Sequence, residues 1–144
     1  MKIFRLLQLD FLPRSADAGL LVLRLWLGLS LLLLHGWRKL TGFSEMSGKF
    51  PDPLEVGSPM SLAMAVFGEV ICALLVALGL FTRGAAAVLA ITMATAFFLV
   101  HKGVLSGPNS GELAFVYLAG WITLFITGAG RFSLDAKIGG RGST

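Results

Sequence analysis

Arg24, His35 and Glu69 are ionisable side chains set inside long apolar runs. A charge at the centre of a membrane helix costs about 2.5–3.5 kcal/mol on insertion scales, so such a group is read first as functional. A guanidinium or an imidazole donates hydrogen bonds, and a carboxylate near them can relay protons. Arg38, Lys39, His101 and Glu112 stand at the ends of the same runs and extend the set. Glu69, Arg24 and His35 are therefore the expected catalytic groups. His35, Arg38, Lys39, His101 and Glu112 are the expected binding groups.

Helical phase places these residues on common stripes. At ~100° and ~1.5 Å per residue, Arg24 and His35 return to within about 20° of one another and lie about 16 Å apart. Arg24, Gly28, Leu31, His35 and Arg38 then share one face of a first helix. Ala65, Glu69, Ala73 and Ala77 share a face of the second, Ala87, Ala90, Ala94 and His101 of the third, and Glu112, Ala119 and Thr123 of the fourth. Stripes of small residues are where membrane helices approach closely, so each polar group is expected to point into a bundle. The expected site is a polar cavity that opens outward and ends at Glu69, with Arg24 beneath it.

Each residue also has a plainer role open to it. Arg24 and Glu69 can be a structural ion pair that fixes register. His35 can bond a carbonyl, and His101 can be a wet helix-end residue. Arg38 and Lys39 can snorkel to headgroups. Glu112 can serve a helix N-terminus, and Trp37 an interfacial belt.

The elements that position these groups follow from composition. The chain has 144 residues, 56% hydrophobic and only 14% charged, with a mean hydropathy of +0.82. Soluble domains carry about 25% charged residues. The fold expected is all-α, an integral membrane four-helix bundle, with spans at about 18–40, 60–81, 84–101 and 112–128. Each approaches the ~20 residues that cross the hydrocarbon. Residues 1–17 read as a short interfacial helix, basic and apolar together, ending before Pro13. The apolar run after it is too long for a signal peptide and lacks a small-x-small cleavage site, so it is expected to be a retained anchor. Thr82–Arg83–Gly84 reads as the link between the second and third spans, and 136–144 as a tail.

Basic residues set the expected orientation. Lys2, Arg5, Arg14, Arg83, Arg131, Lys137 and Arg141 fall on one side, against Arg38, Lys39, Lys49 and Lys102 on the other. That excess puts both termini in the cytoplasm. The pI near 9.7 comes from charges flanking apolar runs rather than from a basic stripe, which excludes nucleic acid. The single cysteine, Cys72, permits neither an internal disulfide nor dithiol exchange and is assigned to packing. No metal spacing, nucleotide fingerprint or activated nucleophile is present.

A set of short motifs runs in order along the chain. They are Arg24-x-x-x-Gly28, His35-Gly36-x-x-Lys39-Leu40, Gly68-Glu69, Leu78-Gly79-Leu80-x-Thr82-Arg83 and Ala86-Ala87. Met93, His101, Glu112, Tyr117 and Gly128-x-Gly130-Arg131-x-Ser133-Leu134-Asp135 follow. In this order and spacing the chain resembles the DoxX family from Ala18 to Asp135. The resemblance implies a four-helix fold in a bacterial or archaeal plasma membrane. The family's namesake members are subunits of a thiosulfate:quinone oxidoreductase, and other relatives are associated with redox stress and sulfur metabolism.

The function expected is a membrane subunit that binds an isoprenoid quinone for a redox partner. His35, Arg24 or Lys39 would donate to quinone carbonyls, and Glu69 would relay protons. The alternative is non-enzymatic: a scaffold, a small transporter or a lipid-binding protein, with membrane lipid or a second copy of the chain as partner. A haem b site on His35 and His101 is disfavoured, because His101 lies shallower and both nitrogens must face one ring. No metal or haem is expected.

Overall fold

The computed structural model describes residues 2–139, and their regular structure is entirely helical. Arg141 and the rest of the predicted tail beyond Gly139 lie outside the described residues. A short helix α1 (Lys2–Leu7) is followed by α2 (Ala16–Thr41), α3 (Phe43–Met46) and α4 (Ser58–Leu78). Then come α5 (Thr82–Val100), α6 (Glu112–Thr127) and α7 (Leu134–Ile138). Helices α2, α4 and α5, of 26, 21 and 19 residues, are long and apolar enough to cross a membrane. Helix α6 is also apolar but has 16 residues.

Helix α2 lies along α4, α4 on α5, and α5 along α6. Their shared core holds Leu31, Cys72, Val76, Leu89, Met93, Tyr117, Trp121 and Leu124. Cys72 is a buried free thiol within it. The outer surfaces remain apolar, with Val22, Trp26, Leu33, Ile91 and Ile126 each at least 60% exposed. An apolar exterior of this extent is stable in lipid and not in water. Helix α1 carries Ile3, Phe4, Leu6 and Leu7, all exposed.

The turn between α4 and α5 differs from the sequence expectation. Helix α4 stops at Leu78 and α5 already starts at Thr82, so the link is Gly79–Leu80–Phe81 rather than Thr82–Arg83–Gly84. Gly79 takes φ +71 as the cap of α4, a left-handed conformation that suits glycine. A Cβ there would stand 2.5 Å from Arg24 Nη1 and 2.6 Å from Ser133 Cβ. The start of α5 is closed by a residue distant in sequence. Asp135 accepts from the backbone N–H of Phe81 (2.7 Å) and of Thr82 (2.9 Å), while its own N–H bonds Gly79 O at 2.8 Å. A carboxylate on the free N–H groups of a helix start is doubly favourable, by hydrogen bond and by helix dipole.

The same end of the bundle gathers the start of α2. Arg131 N–H donates to Asp17 Oδ1 at 2.8 Å. Ser15, in extended backbone, accepts from Ala18 N and opens α2 as an N-cap. The two long connections, 42–57 and 101–111, lie at the opposite end. In the first, Asp52 accepts from Ser61 Oγ at 2.7 Å, Gly57 N at 2.7 Å and Val56 N at 3.1 Å. Ser58 Oγ bonds Phe50 O.

Two predictions follow from these capping contacts. Asp135→Ala is expected to destabilise the protein by about 2 kcal/mol, the upper range for a lost cap, read as a lowered unfolding midpoint in mild detergent. The second concerns Asp52, whose carboxyl is held below its ordinary value by the Ser61 hydroxyl and the Gly57 and Val56 N–H groups. Its folded pKa is depressed, so its contribution is complete above the unfolded value of about 3.9 and fades as pH falls through the folded value. Hydrogen exchange at Val56 and Gly57, corrected for intrinsic rates, is expected to quicken on acidification in the wild type. In Asp52→Asn that acid response should vanish.

Candidate functional site

Three stretches of π-helix interrupt the long helices: Leu32–Gly36 in α2, Phe67–Cys72 in α4 and Thr95–Val100 in α5. A π-helical turn closes i→i+5 and holds an extra residue, so it rotates everything after it about the helix axis. In α2 the buried stripe runs Arg24, Gly28, Leu31 as the α-helical phase predicts. Past the π segment it continues through Gly36 and half-buried Lys39, while Arg38 is exposed. The expected placement of Arg38 on the inner face is corrected accordingly.

Gly36 is where α2 and α4 come closest. A Cβ there would run into the Glu69 carbonyl oxygen and stand 2.7 Å from its carbon. Two π-helical segments thus touch backbone to backbone, and the Glu69 side chain issues from that contact. On its other side α4 meets α5, where a Cβ on Gly68 would stand 2.9 Å from Thr92 Oγ1.

The carboxylate finds its cation one helix away. Lys39 Nζ donates to Glu69 Oε2 at 2.6 Å, with side-chain exposures of 18% and 8%. At that burial, away from water, pairing is what makes two charges tolerable. His35 sits within electrostatic reach of Lys39, Glu69 and Arg38. Its ring meets Tyr117 of α6 edge-on, with centroids 6.4 Å apart. Tyr117 Oη in turn is 2.7 Å from Ser30 Oγ, and its ring stacks on Trp121 at 6.0 Å. Trp121 is fully buried, and its indole N–H has no hydrogen-bond partner among the described residues. Lys39, Glu69, His35, Tyr117 and Ser30 form one polar cluster contributed by three helices.

Arg24 does not join it. At ~1.5 Å per residue it lies about 22 Å along α2 from Lys39. Its guanidinium donates to the carbonyls of Ala77 (3.1 Å), Val76 (3.3 Å) and Phe132 (2.6 Å), with Asp135 as its nearby counter-charge. Arg24 is completely buried, and its Nε has no partner among the described residues. The Arg24–Glu69 pair expected from helical phase is therefore not formed: each residue has found a different partner at a different depth.

The remaining expected residues also lie apart. His101 caps the end of α5, where its Nδ1 donates to Asn109 O at 3.1 Å. Gly111 fits against its Cβ and against Phe97. That makes it a loop-holding residue. Glu112 is exposed at the start of α6. The small-residue faces assigned to α5 and α6 are outer faces. Ala87, Ala90 and Ala94 are only half buried and Ala119 and Thr123 are exposed, while Leu89, Met93, Tyr117, Trp121 and Leu124 point inward. Thr123 can face outward because its hydroxyl is satisfied by Ala119 O within the helix.

Sequence reasoning missed Tyr117, Ser30 and Trp121 as members of the cluster, and Asp135 as the partner of the α4–α5 turn. A signal existed for the first. Tyr117 is the chain's single tyrosine, inside an apolar helix where its hydroxyl needs a partner.

The model of the DoxX family matches residues 19–102, which take in α2, α4 and α5. A Haemophilus influenzae protein described as uncharacterized is 40% identical over 111 residues, covering 73% of this chain and 80% of its own. A second, likewise described and from the same organism, is 29% identical over 129 residues, covering 86% and 85%. No solved structure matches.

The ion pair predicts an asymmetric mutant series. Lys39→Met leaves Glu69 buried without its cation and is expected to cost about 3 kcal/mol, the low end for breaking a buried pair. Glu69→Gln should cost about 1 kcal/mol, because Lys39 lies near the end of α2 and can swing out to headgroups. The double variant Lys39→Met/Glu69→Leu should recover most of the loss. Unfolding midpoints in one detergent would check all three.

Proposed function

The chain belongs to the DoxX family of membrane proteins, and on that premise we propose that it is a quinone-binding membrane subunit serving a membrane-associated oxidoreductase. In this reading α6 is the fourth span. At ~1.5 Å per residue its 16 residues reach about 24 Å, which modest thinning of the bilayer accommodates. Both termini are cytoplasmic and the setting is a bacterial inner membrane. The grouping of Asp17, Phe81, Arg131 and Asp135 at one end supports counting their neighbouring basic residues together.

The observation that carries the proposal is the convergence of Lys39, Glu69, His35, Tyr117 and Ser30. They stand in predominantly apolar helices. Quinone carbonyls are acceptors, and this set is rich in donors, with the indole N–H of Trp121, unpartnered among the described residues, next to it. The residues present therefore fit the group. Reduction of a quinone takes two electrons, from the redox partner, and two protons. Lys39 and His35 would hold the headgroup through its oxygens, and Tyr117, held by Ser30, would fix the His35 ring. Glu69 would hold and pass protons, with Lys39 keeping its carboxylate in place. Arg24, His101 and Glu112 have no part in this site. Arg24 and His101 are engaged in structural contacts, and Glu112 is exposed.

Mass-spectrometric quinone content of protein purified in mild detergent tests the reading. Near-stoichiometric quinone is expected, falling at least fivefold in Glu69→Gln and His35→Ala and unchanged in His101→Ala. An unrelated four-span protein sets the background. Wild-type content at that background would overturn the proposal and leave a scaffold or transport role.

A further inference from the structure

The outer surface of α5 and α6 carries a shallow groove of about 200 Å³, lined by Ala87, Ala90, Ile91, Ile122 and Phe125 and almost wholly apolar. It exists because alanines on α5 stand where larger side chains would fill the seam. Arg83 stands beside it, exposed and against the Phe125 that lines it. It shares the α5 face with Ala87, Ala90 and Ile91, at spacings of four, seven and eight residues. At ~1.5 Å per residue the groove reaches about 12 Å beyond the level of the Arg83 backbone.

Arg83 is held in place rather than left to wander. Its Nε donates to Phe125 O at 2.9 Å, and its guanidinium carbon sits over the Phe125 ring, 5.4 Å from the centroid. The bond at Nε leaves both Nη groups without a partner among the described residues. They are two parallel donors on a fixed plane, which is the fork that matches a phosphate. No carboxylate pairs with Arg83 among the described residues.

We propose that Arg83 and this groove form a binding site for one anionic glycerophospholipid, with the phosphate on the Arg83 fork and an acyl chain along Ala87, Ala90 and Ile122. Charge complementarity selects the occupant. A fixed cation beside an apolar channel fits a ligand with an anionic head and a hydrocarbon tail. The site is separate from the Lys39–Glu69 cluster: it lies on the outside of the α5–α6 pair, with Arg83 beside the Gly79–Phe81 turn.

Native mass spectrometry of the delipidated full-length protein tests this, titrating dioleoyl phosphatidylglycerol against dioleoyl phosphatidylcholine. The wild type is expected to prefer phosphatidylglycerol. Arg83→Met should lose about fivefold in affinity for it, the order of one basic residue's attraction to anionic lipid, and should lose the preference. Arg83→Lys should keep most of the preference, which separates charge from misfolding. Ala87→Leu/Ala90→Leu, which fills the groove, should weaken both lipids while Arg83 stays in place. Equal binding of the two lipids by the wild type, or unchanged phosphatidylglycerol affinity in both Arg83→Met and the groove-filling variant, would overturn the proposal.

Discussion

A carboxylate among apolar helices has no water to solvate it, and Glu69 is tenable there because the Lys39 ammonium reaches it at 2.6 Å. Much of the local architecture serves that meeting. The cation comes from near the end of α2 and the anion from within α4, so the two helices must lie close. They do so through Gly36, the only kind of residue that fits against the Glu69 carbonyl. The π segment in α2 then turns Lys39 inward in place of Arg38. Glycine, helix irregularity and ion pair are three parts of one solution. Removing any of them leaves the other two without a physical reason.

At the other end of the bundle a second buried charge is handled differently. The Nη groups of Arg24 donate to carbonyls that helix ends leave free, those of Val76 and Ala77 at the close of α4 and of Phe132 after α6. The left-handed Gly79 is what makes room for the guanidinium. Asp135 adds the counter-charge and closes the start of α5. A helix C-terminus attracts a cation and a helix N-terminus an anion. The turn between α4 and α5 presents both ends within three residues, and it is occupied by one of each.

The helices themselves were legible in the sequence, because mean hydropathy and run length are set by the solvent the helices face. Residues 18–40 and 60–81 foretold α2 and α4 to within a few positions. The polar partnerships were less legible, for a definite reason. Phase arithmetic assumes ~100° at every residue, and three π segments break that assumption at the positions that matter. Phase put Arg38 on the inner stripe with Arg24 and His35, and past the extra residue that place falls to Lys39 while Arg38 is exposed. The faces of α5 and α6 failed for another cause. Alanine stripes signal close packing, yet here Trp121, Tyr117, Leu89 and Ala86 fill the interior, while Ala87, Ala90 and Ala94 are only half buried and Ala119 is exposed. Asp135 was visible as part of a motif, but a contact spanning more than fifty residues leaves no local periodicity to read.

The Arg24 clamp also has an order in time. Arg24 leaves the ribosome long before Val76 and Ala77, and Phe132 and Asp135 come later still. While α2 is already in the lipid, its guanidinium must be served by water and headgroups at the membrane edge. The α4–α5 hairpin then enters with the first N–H groups of α5 uncovered. Closure of this end waits for residues 132–135, which bring the Phe132 carbonyl to Arg24 and the Asp135 carboxylate to the start of α5.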